Sequence, residues 1–112
     1  MVAVHNLFSE IPPGQGEAFE EILRRGGVLI ERIVSRGEAS PLGFWYDQGW
    51  DEWVLLVRGS ALLGFADGAT VSLGPGDHLL IPARCRHRVE RTDPSAETVW
   101  LAVHLKAEAG GG

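Results

Sequence analysis

The stretch that decides the fold is Gly74-Pro75-Gly76-Asp77-His78-Leu79-Leu80-Ile81-Pro82-Ala83-Arg84-Cys85-Arg86-His87-Arg88-Val89. Pro75 fixes φ and Gly76 supplies a positive φ, so this pair predicts a reversal of the chain. A short apolar strand, Leu79 to Ile81, follows the turn and ends at Pro82. This order of turn, strand, corner and histidine predicts a β-barrel wall that carries His87 near its mouth.

Length and composition bound the class of protein. The chain has 112 residues, the size of one domain with one hydrophobic core. Its net charge of −5 argues against a general nucleic-acid-binding protein. One cysteine excludes an intrachain disulfide and fits a reducing cytoplasm, which is the location we expect. We see no signal-peptide pattern and no apolar run of about 20 residues, so the sequence predicts neither secretion nor a membrane span.

Outward from the central stretch, the sequence predicts many short strands. Apolar runs bounded by turn residues predict strands over 28–34, 43–48, 52–58, 61–65, 69–73, 78–82, 86–91 and 97–106. Asp67-Gly68 is a strong two-residue hairpin signal between two of them. The pattern is typical of an all-β sandwich or small barrel, and an SH3-like or OB barrel is disfavoured because it needs fewer strands.

The N-terminal 27 residues are predicted to form an arm and one short helix. The segment from Gly16 to Arg25 has an apolar stripe at helical spacing, early glutamates and late arginines, which complement the helix dipole. Gly26-Gly27 would end that helix. We therefore expect a single domain over 1–112, with the barrel at 28–106 and a fraying tail at 107–112.

The central stretch resembles the second motif of the cupin family, whose members are small β-barrels of the jelly-roll type. That motif reads Gly, five residues, Pro, one residue, Gly, two residues, His, three residues, Asn. Gly76, Pro82 and His87 stand at three of its positions. Arg84 replaces the second Gly and Arg91 replaces the Asn.

The first cupin motif reads Gly, five residues, His, one residue, His, three or four residues, Glu, six residues, Gly. Glu52 and Gly59 match its second half, whereas Tyr46 and Gln48 stand where the two histidines belong. The chain thus resembles a small single-domain cupin with a degenerate first metal motif. The resemblance implies an all-β, cupin-type jelly-roll barrel, with one short N-terminal helix added by the pattern above.

The resemblance also implies a site. In metal-binding cupins, histidines and a glutamate hold a first-row metal. The matched positions leave Gln48, Glu52 and His87 as ligands for Zn, Mn, Fe or Ni, and Gln is a weak neutral donor. The alternative is a metal-free pocket in which Glu52 and His87 form a hydrogen-bonded pair that works as acid or base, with Tyr46 as a third catalytic group. Some cupins catalyse isomerisation, epimerisation or dehydration in this way.

Arg84, Gln48 and Trp50 are the predicted substrate-binding residues. Arg84 sits at the corner beside the expected pocket, where a guanidinium could grip a carboxylate or phosphate. Its alternative role is a structural salt bridge to one of three acidic residues, Asp47, Asp51 or Glu90. Trp50 lies in a Gly-rich loop and could stack on a flat ligand at the pocket mouth. The sequence leaves open whether His104 faces the pocket.

Three functions follow as hypotheses. The first is a cupin enzyme acting on a small anionic molecule, with or without a divalent metal. The second is a non-catalytic ligand-binding or sensor cupin without metal. The third is an interaction scaffold whose apolar strands, such as 97–106, build a dimer. We expect a small-molecule ligand and a homodimer, and neither nucleic acid nor membrane as a partner.

Overall fold

The computed structural model of the chain describes residues 2–14 and 16–106. Its elements are eight strands: β1 (Ala18–Arg25), β2 (Val28–Ser35), β3 (Asp51–Arg58), β4 (Ala61–Phe65), β5 (Thr70–Leu73), β6 (His78–Ile81), β7 (His87–Thr92) and β8 (Thr98–Leu105). The described residues contain no helix, and so none that is long and apolar enough to cross a membrane. The predicted tail at 107–112 lies outside them.

The strands form two antiparallel sheets. One sheet has five strands in the order β1-β2-β8-β3-β6, and the other has three in the order β5-β4-β7. Alternate residues of each strand point to the same face, so β2 to β8 contribute side chains to the space between the sheets, whereas β1 is largely exposed. Val54, Leu56 and Trp100 of the first sheet pack there with Leu63 and Leu73 of the second. The all-β prediction is confirmed.

The predicted N-terminal helix is wrong, because Ala18–Arg25 is strand β1. It pairs with β2 from Ala18 opposite Val34 to Arg25 opposite Val28, with a bulge between Glu21 and Leu23. The bulge shifts the alternation of side chains, so apolar residues on two strand faces imitate a helical stripe. An isolated ten-residue helix is marginal in water, whereas β2 supplies a full hydrogen-bonding partner.

The turn at Gly26-Gly27 explains the same error. These glycines form a two-residue hairpin loop in which Gly26 has a φ of 55°. A positive φ at the first loop residue suits the right-handed twist of the strands that it joins. The Gly pair that resembles a helix C-cap in the sequence is therefore a β-hairpin turn.

Two further expectations need correction. Residues 43–48 do not form a strand; only Tyr46 makes a bridge, to His87. The sheets also do not close into one hydrogen-bonded barrel, since β1 and β6 are edges of the larger sheet and β5 and β7 are edges of the smaller one. The other predicted strands are present, with ends that differ by at most one residue.

The N-terminal arm covers the outer face of β2. Arg32 points away from the space between the sheets, yet it is only 4% exposed. Its guanidinium donates to the carbonyl oxygens of Leu7 and Ser9 at 2.9 and 2.7 Å and pairs with the Glu20 carboxylate at 2.5 Å. These bonds attach the arm to the sheet and leave the other face of β2 for the core.

Gly59, between β3 and β4, shows why the first motif ends in glycine. Its φ is 97°, and a Cβ there would lie 2.7 Å from the buried Thr98 Cα. Gly68 has a similar φ of 95° with open space around it. Gly68→Ala should therefore cost about 1–2 kcal/mol of unfolding free energy from backbone strain. Gly59→Ala should cost about 1–3 kcal/mol more, because the Thr98 backbone must shift.

Urea unfolding of both variants beside the wild-type chain measures this difference. Equal losses for Gly59→Ala and Gly68→Ala would show that Thr98 does not restrict the turn.

Candidate functional site

A cavity of about 80 Å³ lies between the two sheets. Val54, Ile81 and Trp100 form its apolar wall on the five-stranded sheet, and Leu63 and Val89 form the wall on the three-stranded sheet. Seven polar side chains also line it: Glu17, Glu31, Tyr46, Gln48, Glu52, His87 and His104. Four of the predicted site residues, Tyr46, Gln48, Glu52 and His87, are therefore brought together.

His87 opens β7 and is only 6% exposed. Its Nδ1 lies 2.9 Å from the Cys85 carbonyl oxygen. A carbonyl can only accept, so Nδ1 carries the proton, and in the neutral ring Nε2 holds a lone pair. Backbone hydrogen bonds in both directions join His87 to Tyr46, and the two rings stack with centroids 5.2 Å apart. The imidazole is thus fixed in both orientation and tautomer.

Glu52, on β3, pairs with a neutral group. The Gln48 amide donates from Nε2 to Glu52 Oε1 at 3.0 Å. Among the described residues, Glu52 makes no hydrogen bond to His87, whose Nδ1 faces the Cys85 carbonyl oxygen instead. The hydrogen bond expected between Glu52 and His87 is therefore absent, and each group is oriented by a different neighbour.

The open question about His104 is answered, since this side chain lines the cavity. The Trp50 indole nitrogen donates to His104 Nδ1 at 2.9 Å, and His104 Nε2 lies 2.8 Å from Glu31 Oε1. An indole N–H can only donate, so His104 Nδ1 must accept, and Nε2 must carry the proton that goes to Glu31. This histidine is neutral, with both nitrogens occupied.

A second chain of hydrogen bonds ends on Glu17. The buried Trp100 indole donates to Ser35 Oγ at 3.1 Å, and Ser35 Oγ donates to Glu17 Oε2 at 2.7 Å. The pKa of the Glu17 carboxyl is raised, chiefly because burial of the carboxylate disfavours its charge, while the Ser35 hydrogen bond opposes the rise. Like Glu31, Glu17 is held by a donor without charge.

The pKa of Tyr46 reflects the negative electrostatic potential of the cavity. Its pKa is raised, first by burial and then by the negative charges of Glu17, Glu52 and Glu31. The phenol therefore keeps its proton throughout the neutral range and is available as a hydrogen-bond donor.

The residues do not fit a first-row transition metal. The described residues hold no group of three His, Cys, Asp or Glu side chains placed around one point. Of the proposed ligands Gln48, Glu52 and His87, the first two are hydrogen-bonded to each other. Such metals prefer imidazole and thiolate donors over a neutral amide.

Two predicted substrate-binding residues lie elsewhere. The Arg84 side chain is 72% exposed, does not line the cavity and pairs with Asp47 at 3.5 Å, as the salt-bridge alternative expects. Its backbone has a φ of 62°, which explains why the motif places glycine there. Trp50 lies outside the lining and contacts His104. Lys106 Nζ is 4.3 Å from the centre of the Trp50 ring.

Sequence reasoning missed Glu17 and Glu31. Glu31 carries a usable signal, because it is a lone carboxylate inside the apolar strand β2 and alternates with Ile33. Glu17 has none, because its place depends on β1 being a strand and on Ser35 lying across from it.

Solved structures resemble the chain over most of its length. A protein from Ralstonia eutropha JMP134 that carries the provisional name mannose-6-phosphate isomerase is 51% identical, with a TM-score of 0.88 over 95% of this chain and 100% of its own. A cupin superfamily protein from Desulfitobacterium hafniense DCB-2 is 20% identical, with a TM-score of 0.71 over 86% of this chain and 84% of its own.

A cupin domain from Bordetella pertussis Tohama I is 22% identical, with a TM-score of 0.64 over 86% of this chain and 99% of its own. No family model and no curated protein matches the sequence. The chain belongs to the cupin superfamily, and the recognition from its two motifs is confirmed.

The opposite tautomers of the two histidines are directly testable. Long-range ¹H–¹⁵N NMR spectra of the imidazoles at neutral pH should show Nδ1–H for His87 and Nε2–H for His104, because their partners allow nothing else. Trp50→Phe removes the indole donor and should change the His104 pattern while leaving that of His87. The same tautomer in both rings would contradict the assignment.

Glu17 should make stability fall as pH rises. Its pKa is raised in the folded chain, so the folded state binds the proton more tightly than the unfolded state. Stability is then lost as the pH rises from the pKa of Glu17 in the unfolded chain through its pKa in the folded chain. Glu17→Gln should match the wild-type chain in acid and exceed its stability at neutral pH. Urea midpoints across pH 4–8 measure this; parallel curves for the two proteins would refute it.

Proposed function

We propose that the protein binds a small molecule in the cavity and transfers protons on it without a metal. The observation that supports this most directly is His87: a buried imidazole whose Nδ1–H is tied to the Cys85 carbonyl, so that Nε2 is free in the cavity lining. A fixed imidazole with a free lone pair is a general base near neutral pH.

The other groups supply the rest of an acid–base site. In this proposal His87 Nε2 takes a proton from a carbon next to a carbonyl and returns it to the same or the neighbouring carbon. The protonated Tyr46 phenol donates a hydrogen bond to the oxygen that gains negative charge. Glu52 stabilises the transient imidazolium across the cavity. Proton transfer of this type underlies isomerisation and epimerisation.

The provisional name of the Ralstonia eutropha relative is that of an isomerase, which fits proton transfer between neighbouring carbons. A sugar phosphate, however, needs positive charge for its phosphate, and the described cavity lining has no lysine or arginine. The anionic substrate predicted from Arg84 loses its support for the same reason, since Arg84 pairs with Asp47 outside the cavity. We therefore propose the reaction type without a phosphate or carboxylate substrate.

The homodimer and the cytoplasmic location remain part of the proposal. Strand β8, which prompted the dimer prediction, lies between β2 and β3 of one chain. The exposed apolar residues of edge strand β1, Phe19, Ile22 and Leu23, are the better support for an interface.

Hydrogen–deuterium exchange tests the chemistry without knowledge of the substrate. In D₂O, the wild-type chain should accelerate deuterium incorporation at the carbon next to the carbonyl of some members of a panel of small aldoses, ketoses and amino ketones. The loss of the corresponding proton signal is measured by ¹H NMR. His87→Asn should slow this exchange by about 100-fold or more, the usual contribution of a general base. His78→Asn is the matched control, because His78 is exposed on β6.

Equal exchange by the two histidine variants would overturn the role of His87.

The second candidate, a binding protein without catalysis, is favoured by the presence of Tyr46 and Gln48 where the motif has histidines. It predicts ligand-induced shifts of the His87 resonances with no exchange above that of His87→Asn.

A further inference from the structure

Three carboxylates line the cavity without a cationic partner among the described residues. Glu52 accepts from the Gln48 amide, Glu31 from the neutral His104 ring and Glu17 from the Ser35 hydroxyl. None of these donors carries a charge, and no lysine or arginine pairs with the three carboxylates. The charge of the site is therefore negative and uncompensated within the described chain.

The free polar atoms of the cavity are mostly hydrogen-bond acceptors. His87 is more than nine-tenths buried, and its Nε2 has no hydrogen-bond partner among the described residues once Nδ1 is given to Cys85. With Nδ1 protonated, this Nε2 accepts. Among the described residues that line the cavity, the free donors are the Tyr46 hydroxyl and the second N–H of the Gln48 amide, so acceptors outnumber donors. A ligand that satisfies such a site must bring donors and positive charge.

We propose that the cavity binds a small organic cation, an ammonium group on a short carbon skeleton. This assignment rests on the proposed function, because it names the substrate class of the same site. The negative charges of Glu31, Glu17 and Glu52 attract the ammonium group, and the walls from Val54, Leu63 and Trp100 hold the carbon skeleton. His87 and Tyr46 remain free for the proton transfer.

An organic cation fits better than an inorganic one. No three His, Cys, Asp or Glu side chains of the described residues are placed to hold one metal ion. A single hard ion would leave most of them unmatched. An ammonium group has three donors on one carbon substituent, and the remaining carbons bury apolar wall surface. The negative potential that raises the pKa of Tyr46 attracts the same charge.

Three probes of nearly identical shape test the sign of the charge. Isobutylamine, isobutanol and isobutyrate are positive, neutral and negative at pH 7. Each is titrated into the wild-type chain while NMR follows the His87 and His104 imidazoles and the Trp100 indole. We expect saturable shifts with the amine, and at least about tenfold weaker binding of the alcohol and the acid, which corresponds to about 1.4 kcal/mol.

Charge-removing variants locate the effect. Glu31→Gln and Glu17→Gln each keep an oxygen that accepts from His104 or Ser35, so the hydrogen-bonded chains survive while the charge is lost. Each should weaken isobutylamine several-fold and leave isobutanol unchanged. Glu90→Gln, on β7 outside the cavity lining, is the matched control and should change neither. Two independent variants keep the test valid if one fails to fold.

The outcomes separate the two proposals. Isobutyrate binding as tightly as the amine, or amine binding that both cavity variants leave unchanged, overturns the cation assignment. Cavity resonances that no probe shifts overturn it as well. In each of these cases the proton-transfer function is decided by the deuterium-exchange comparison of His87→Asn and His78→Asn, which needs no amine.

Discussion

The pairing of β8 with two neighbours is the constraint on which the rest of the structure depends. β8 lies between β2 and β3, with His104 opposite Leu29 on one side and Glu52 on the other, and Ala102 opposite Glu31 and Val54. Because a strand has a period of two, a shift of one residue would turn His104 and Trp100 away from the cavity. The register of one central strand thus assembles the core and the polar wall of the site together.

The cavity combines groups that folding alone would not favour. Burial of a carboxylate is costly unless it is paired, yet Glu17, Glu31 and Glu52 meet only neutral donors. Two tryptophans support this arrangement: Trp50, outside the lining, through His104, and Trp100, in the lining, through Ser35. The raised pKa of Glu17 reflects the unfavourable burial of its charge, which a bound cation would offset.

Tyr46 and Gln48 stand where the resemblance to the first cupin motif implies two histidines. Tyr46 stacks on His87 and adds a proton donor, while Gln48 turns its amide to Glu52. Tyr46, His87 and Glu52 thus line one cavity.

By itself, the sequence determined the family, most strands and four residues of the cavity, because these depend on local turn chemistry and motif spacing at Gly76, Pro82 and Glu52. It failed at Ala18–Arg25, where a bulge imitates helical spacing and the choice between helix and strand depends on pairing with β2. Only the tertiary structure decided that Arg84 lies outside the cavity and that Glu17 and His104 lie inside. The physical reason is that these placements depend on the pairing register of strands that are distant in the sequence. A local sequence pattern does not determine that register.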